Sequence, residues 1–165
     1  MAGSLELINK TDFSSVSTVN VDNVFTADYD VYKITLDTGG QYGLLRFLDS
    51  SGSLTTDGAY DTARLNLKIN TTYSETRIVG TDVGIYAFSE SSGSGAGGGN
   101  VLYVFNPFSS SSYTFVTAQT VDINSSTAHR IAKTIGVYKN VQSLRGFSLQ
   151  ALAGVTGTLV TYGVK

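Results

Sequence analysis

The residue best suited to acid–base or metal chemistry in this 165-residue chain is a single histidine, His129, beside Arg130 in a polar stretch. A lone imidazole lacks the convergent partners that a metal centre or a nucleophile–base pair needs, so a solvated or hydrogen-bonded surface side chain is expected. Close carboxylates occur only as Asp28-Tyr29-Asp30 and as Asp57 and Asp61. Asp-x-Asp can open a calcium loop, but the Gly and distal Glu of that pattern are missing, and Asp at strand ends ordinarily caps turns. Gly97-Gly98-Gly99 lacks the Gly-Lys-Ser/Thr ending of a phosphate loop, and no Gly-x-Ser-x-Gly marks a nucleophile elbow. Cysteine is absent, which removes disulfides, thiolate metal sites and cysteine nucleophiles together. The expectation is a non-enzymatic protein with no catalytic residues, no metal and no cofactor.

The charge balance points the same way. Net charge is −2 and only 15% of residues are charged, so polarity comes from Ser, Thr, Asn and 18 Gly. Such a surface makes neutral hydrogen bonds and carries little long-range field. Nucleic acid is not an expected partner, because binding it depends on a concentrated Lys/Arg footprint. The same argument counts against an anionic membrane surface, and no apolar run approaches the roughly 20 residues of a membrane-spanning helix. The start, Met1 to Ile8, has no basic segment and no long hydrophobic block, so no signal peptide is expected.

The elements that must position these residues are strands. Short runs of period-two alternation recur at Leu5–Asn9, Val16–Val21, Val31–Leu36, Leu44–Leu48, Gly84–Phe88, Val101–Asn106, Tyr113–Val121, Ile131–Val137, Phe147–Leu152 and Thr158–Val164. The clearest run is Ala63 to Asn70, where Ala63, Leu65, Leu67 and Ile69 are expected to face the core. Arg64, Asn66, Lys68 and Asn70 are then expected to face water. Gly, Ser, Asn and Asp clusters close each run, and many evenly spaced short strands argue for one all-β sandwich or barrel domain. Thr127–Lys133 is the best helix candidate, but it reads better as a loop entering a strand.

Two segments stand out as candidate partner contacts. The Gly/Ser stretch 89–100, with Ser91, Gly93, Gly97 and Asn100, is either a hairpin connection or a loop that orders against a neighbour. The second runs from Val101 to Val116 and holds the only proline, Pro107, directly after an apolar strand. A core hairpin there would turn Phe105 and Phe115 inward. Asn106, Phe108 and Tyr113 flank the reversal, and Phe108 is the candidate exposed anchor for a partner subunit.

The opening Met-Ala-Gly-Ser-Leu-Glu-Leu-Ile, the segment Ala27 to Ile34, the stretch Phe105 to Phe115 and the closing Gly157 to Lys165 resemble a group of small virion proteins. That group is met in tailed bacteriophages, many of them marine and cyanobacterial, and the similarity spans nearly the whole chain. The resemblance implies a jelly-roll-like antiparallel β-sandwich displayed on the virion after synthesis in the host cytoplasm. It also implies a head-decoration, fibre or tail-associated role with no catalytic residues. The implied partners are further copies of the chain, a trimer among the options, and major capsid or tail proteins. The middle, Ile123–Leu144, departs from the group's pattern. Recognition of host-surface glycans by a tail-fibre module is the competing expectation.

Overall fold

The computed structural model describes residues 3–38, 43–69, 73–81, 84–88, 98–125 and 128–165. The described residues form nine strands: β1 (Leu5–Val21), β2 (Val31–Thr38), β3 (Gly43–Leu48), β4 (Tyr60–Lys68), β5 (Ser74–Thr81), β6 (Gly98–Phe105), β7 (Thr114–Ser125), β8 (Ala128–Tyr138) and β9 (Gly146–Val164). No helix occurs among the described residues; of the candidate Thr127–Lys133, Thr127 lies outside the described residues and Ala128 to Lys133 belong to β8.

All pairings are antiparallel, in the order β1-β9-β2-β6-β7-β8-β4-β5, with β3 also on β9. The expected all-β, jelly-roll-like sandwich therefore forms, by curling one sheet so that a single long ribbon serves both layers. The C-terminal half of β9, Gly157–Val164, lies between β1 and β2. Its N-terminal half, from Gly146 to Ala151, lies beside β1 and β3 instead. The smaller layer is widened by isolated bridges from Leu45 to Ile85 and from Leu48 to Leu54.

The core between the layers is aromatic at one end. Phe47 on β3 stands 5.8 Å from the Tyr138 ring and 6.1 Å from that of Tyr60, while Phe25 stacks on Phe147 at 5.9 Å. These rings are shielded from water, and offset or edge contacts add to their apolar burial. Buried hydroxyls need partners, and those of Tyr60 and Thr55 have them. Tyr60 accepts from the Phe47 amide at 2.8 Å and meets the Thr55 hydroxyl, while Thr55 Oγ1 donates to the Phe47 carbonyl at 3.0 Å. Burial pushes the Tyr60 hydroxyl up to about 12. At the rim Tyr138 donates to Asp57 at 2.6 Å and accepts from Gln142 at 2.6 Å.

Toward the other end, the same inner face changes character. Thr62, Arg64 and Asn66 on β4, Thr120 on β7, and Arg130 and Thr134 on β8 are all buried. This reverses the expected facing of β4: Arg64 is 3% exposed, while Leu67 and Ile69 stand 46% and 71% exposed. The cause is the segment 84–88, which crosses this face. Arg64 Nη1 donates to the Phe88 carbonyl at 3.2 Å, and Thr134 Oγ1 donates to the Tyr86 carbonyl at 3.0 Å. An irregular segment carries carbonyls that no ladder satisfies, so the strands beneath it must offer donors. The approach is close. A β-carbon at Gly136 would sit 2.6 Å from Ile85 Cγ2, so only glycine fits there without displacement.

Candidate assembly surface

With the inner face turned toward polar backbone, bulky apolar side chains of β4, β6, β7 and β8 point outward. Strand pairing aligns them in rows. Leu67 lies opposite Ile131, and Ile131 opposite Val121. Ala63 lies opposite Ile135, which continues through Thr117 to Tyr103. Val137 lies opposite Phe115, and Phe115 opposite Phe105. The expectation that Phe105 and Phe115 turn inward is thereby corrected, since Phe115 is exposed and Val104 and Val116 fill the core. The strand parity set by Leu102, Val104 and Val116 inside leaves both phenylalanines outside.

Ile135, 63% exposed, sits in the middle of these rows. A groove of about 450 Å³ runs beside it, walled by Val79, Phe115 and Val137, with Asp61 and Arg77 among its lining residues. Among the described residues of these four strands the rows carry Lys133, between Leu65 and Gln119, and Asp61, opposite Val137. Monomeric proteins seldom leave a contiguous apolar surface of this kind facing water, and rows of bulky side chains on a sheet face mark a contact area. Its physics would be shape matching and water exclusion, with little electrostatic steering.

The carboxylates singled out by spacing serve the scaffold. Asp57 accepts from Tyr138 and from Asn140 Nδ2 at 2.8 Å; burial works to raise its pKa, but these hydrogen bonds outweigh it and hold the carboxyl below its ordinary value. Asp61 accepts from the Gly80 amide at 2.7 Å and pairs with Lys139 at 3.0 Å, which lowers its pKa as well. Asp28 accepts from Thr26 Oγ1 at 3.0 Å within its own turn. Among the described residues no three His, Asp or Glu side chains come together in a metal-binding group. His129 lies in β8 opposite Ile123.

Of the candidate contacts, Ser91, Gly93 and Gly97 lie outside the described residues. Asn100 is an interior residue, 2% exposed, whose amide donates to the Leu36 carbonyl at 3.1 Å and so ties β6 to β2. It therefore offers no contact surface. Asn106 takes a left-handed conformation, φ 56°, and its amide donates to the Asp30 carbonyl at 2.7 Å. Phe108 and Tyr113 are exposed around the serine run, at the tip of the β6–β7 hairpin. That tip is braced by the loop before β9: Leu144 N–H donates to the Pro107 carbonyl and Ser143 Oγ to that of Phe108.

The outward rows are hidden in the sequence because apolar alternation ordinarily marks a core face. A signal was present on β8. Its alternate residues Ala132, Thr134 and Gly136 are small, as a face pressed by close backbone requires, whereas Ile131 and Ile135 are bulky. No protein-family model matches the chain, and no curated protein matches its sequence.

Proposed function

We propose that this chain is a non-enzymatic virion structural protein that decorates or cements a bacteriophage capsid, docking on the shell protein through the outer face of β6, β7, β8 and β4. The observation that carries the reading is the set of apolar rows centred on Ile135. The occupant fits what the face lacks. A site with one central lysine and no acid–base cluster suits a weakly charged protein surface, presented in many copies. Symmetry then multiplies modest single contacts into firm attachment. The virion setting comes from the resemblance carried by the chain's two ends and by the stretch Phe105 to Phe115.

The test uses Ile135→Lys and Phe115→Lys in particles lacking the native protein. Both positions are solvent-facing, so melting temperature should stay within about 2 °C, in keeping with the small effects of surface substitutions. Attachment should fall by about tenfold or more, because each substitution sets an unpaired charge in a dehydrated contact. Full attachment by both folded variants would sink the reading.

One observation favours a second reading, a tail-fibre or receptor-binding module for host-surface glycans. Exposed Phe108 and Tyr113 stand beside hydroxyls Ser109 to Ser112 on a braced loop, which offers stacking and neutral hydrogen bonds to a sugar. Oligosaccharide binding by the isolated protein, abolished by Phe108→Ala and untouched by Ile135→Lys, would select it.

A further inference from the structure

The sheet ends on two outer strands, β1 and β5. β1 is poorly suited to pair with anything more. Three register shifts break its ladder with β9, and its charges are matched within the chain, Lys10 with Asp12 at 3.3 Å and Glu6 with Lys165 at 2.6 Å. Bulges and placed charges are how natural edges avoid further pairing.

β5 is different. From Ser74 to Ile78 it runs in unbroken register against Asn66 to Thr62, and among the described residues no strand pairs with its other side. Glu75 and Arg77 are exposed, share the outer face with Leu65 and Ala63, and form no ion pair among the described residues. Tyr73 and Val79, also exposed, flank them at the same spacing of two. The regular stretch stops at a bulge, where Val79 and Gly80 together oppose Asp61 and Gly80 takes φ 63°.

We propose that β5 is a self-pairing edge, at which a second copy of this chain adds its own β5 antiparallel, about a two-fold axis through Thr76. This register sets Glu75 of each copy opposite Arg77 of the other, giving two cross-strand ion pairs on one face. Tyr73 comes opposite Val79 on that same face, and Ser74 comes opposite Ile78 on the other. The neighbouring symmetric registers are disfavoured: an axis through Glu75 sets two carboxylates face to face, and one through Arg77 sets two guanidiniums face to face. Opposite charges across a strand pair stabilise it and like charges destabilise it, so the sequence selects one register. The occupant is this chain itself because a two-fold axis requires a strand complementary to its own reverse, and Tyr73-Ser74-Glu75-Thr76-Arg77-Ile78-Val79 has that property. The pairing joins two sheets into one and leaves both apolar outer faces on the same side. It does not depend on what those faces meet.

Sedimentation equilibrium of the isolated protein tests this. The native chain should form dimers whose association weakens as salt screens the paired charges, since the Debye length falls from about 10 Å at 0.1 M to about 3 Å at 1 M. Glu75→Arg and Arg77→Glu should each weaken association by about tenfold, because each creates two like-charge contacts. The double variant restores both pairs with exchanged signs and should return to within about threefold of native, a coupling that only residues in contact show. A native chain that stays monomeric, salt-insensitive association, or a double variant as weak as the singles would each overturn the proposal. Loss of particle attachment in Ile135→Lys with dimerisation intact would separate this edge from the outer face.

Discussion

The two ends of the interior teach opposite lessons about how one sheet face can be sealed. Around Phe47 the inner face closes with rings, packed 5.8–6.1 Å apart, whose hydroxyls reach the Phe47 N–H and Thr55, or Asp57 and Gln142 at the rim. Around Arg64 and Thr134 the same face closes with donors reaching the carbonyls of an irregular crossing segment. The first arrangement gains from excluding water and depends on volume. The second gains little net free energy per contact but leaves no room for error, because each donor removed strands a carbonyl. The inversion of β4 follows from this. Where the covering layer is backbone rather than side chain, polar residues belong inside and the apolar ones are left to face outward.

Mutation can sharpen that contrast. The largest effect is expected from Phe47→Ala, about 3–5 kcal/mol lost in chemical denaturation, because a dry ring cluster cannot collapse around the missing volume. A loss below about 1 kcal/mol would erase the distinction drawn for the aromatic end. Thr134→Val keeps the shape and deletes only the donor to Tyr86, so about 1–2 kcal/mol is expected, from the stranded carbonyl rather than from a cavity. A neutral or stabilising result would mean that water reaches that carbonyl. The smallest effect concerns Asp57 at the rim of the aromatic end. Its folded-state pKa lies below the ordinary 3.8, so its contribution is complete above that pH and disappears as pH falls through the folded value. Solvent screening at this exposed site keeps the contribution to a few tenths of a kcal/mol. Asp57→Asn should therefore be slightly less stable than native at pH 7, and urea melts of the two should converge as pH falls through the folded-state pKa of Asp57.

Much of the architecture was legible. Turn clusters and alternation located β2 and β3 within two residues, because short apolar runs between Gly, Asn and Asp leave few other conformations. Two long strands read as pairs of short ones. Ser14-Ser15 in β1 and Ala153-Gly154 in β9 look like breaks, yet tertiary pairing carries β1 through a bulge with Ser15 at φ 53°. β5 gave no signal, since Ser74-Glu75-Thr76-Arg77 has no apolar alternation and is held by β4 on one side. The hardest inference was facing. On β7 the inner Thr114, Val116, Ala118 and Thr120 are hardly more apolar than the outer Phe115, Thr117, Gln119 and Val121. Alternation alone cannot choose between two such faces. Among the candidate contacts, Phe108 and Tyr113 were legible because a proline and a serine run force a surface reversal. Asn100 was not, because an asparagine buried by a neighbouring strand looks the same in sequence as one in a loop.

The ribbon shared by both layers also has a consequence for biosynthesis. β9 is a neighbour of β1, β2 and β3; among the described strands β1 and β3 pair with no other, while β2 also pairs with β6. On the ribosome, the nascent chain can close β4 with β5, the β6–β7–β8 meander and β2 with β6 early, but β1 and β3 wait for the last stretch to emerge. Premature termination before β9 would leave β1 and β3 without their ladder and β2 with β6 alone, and such products are expected to aggregate or be degraded rather than persist as partly active fragments.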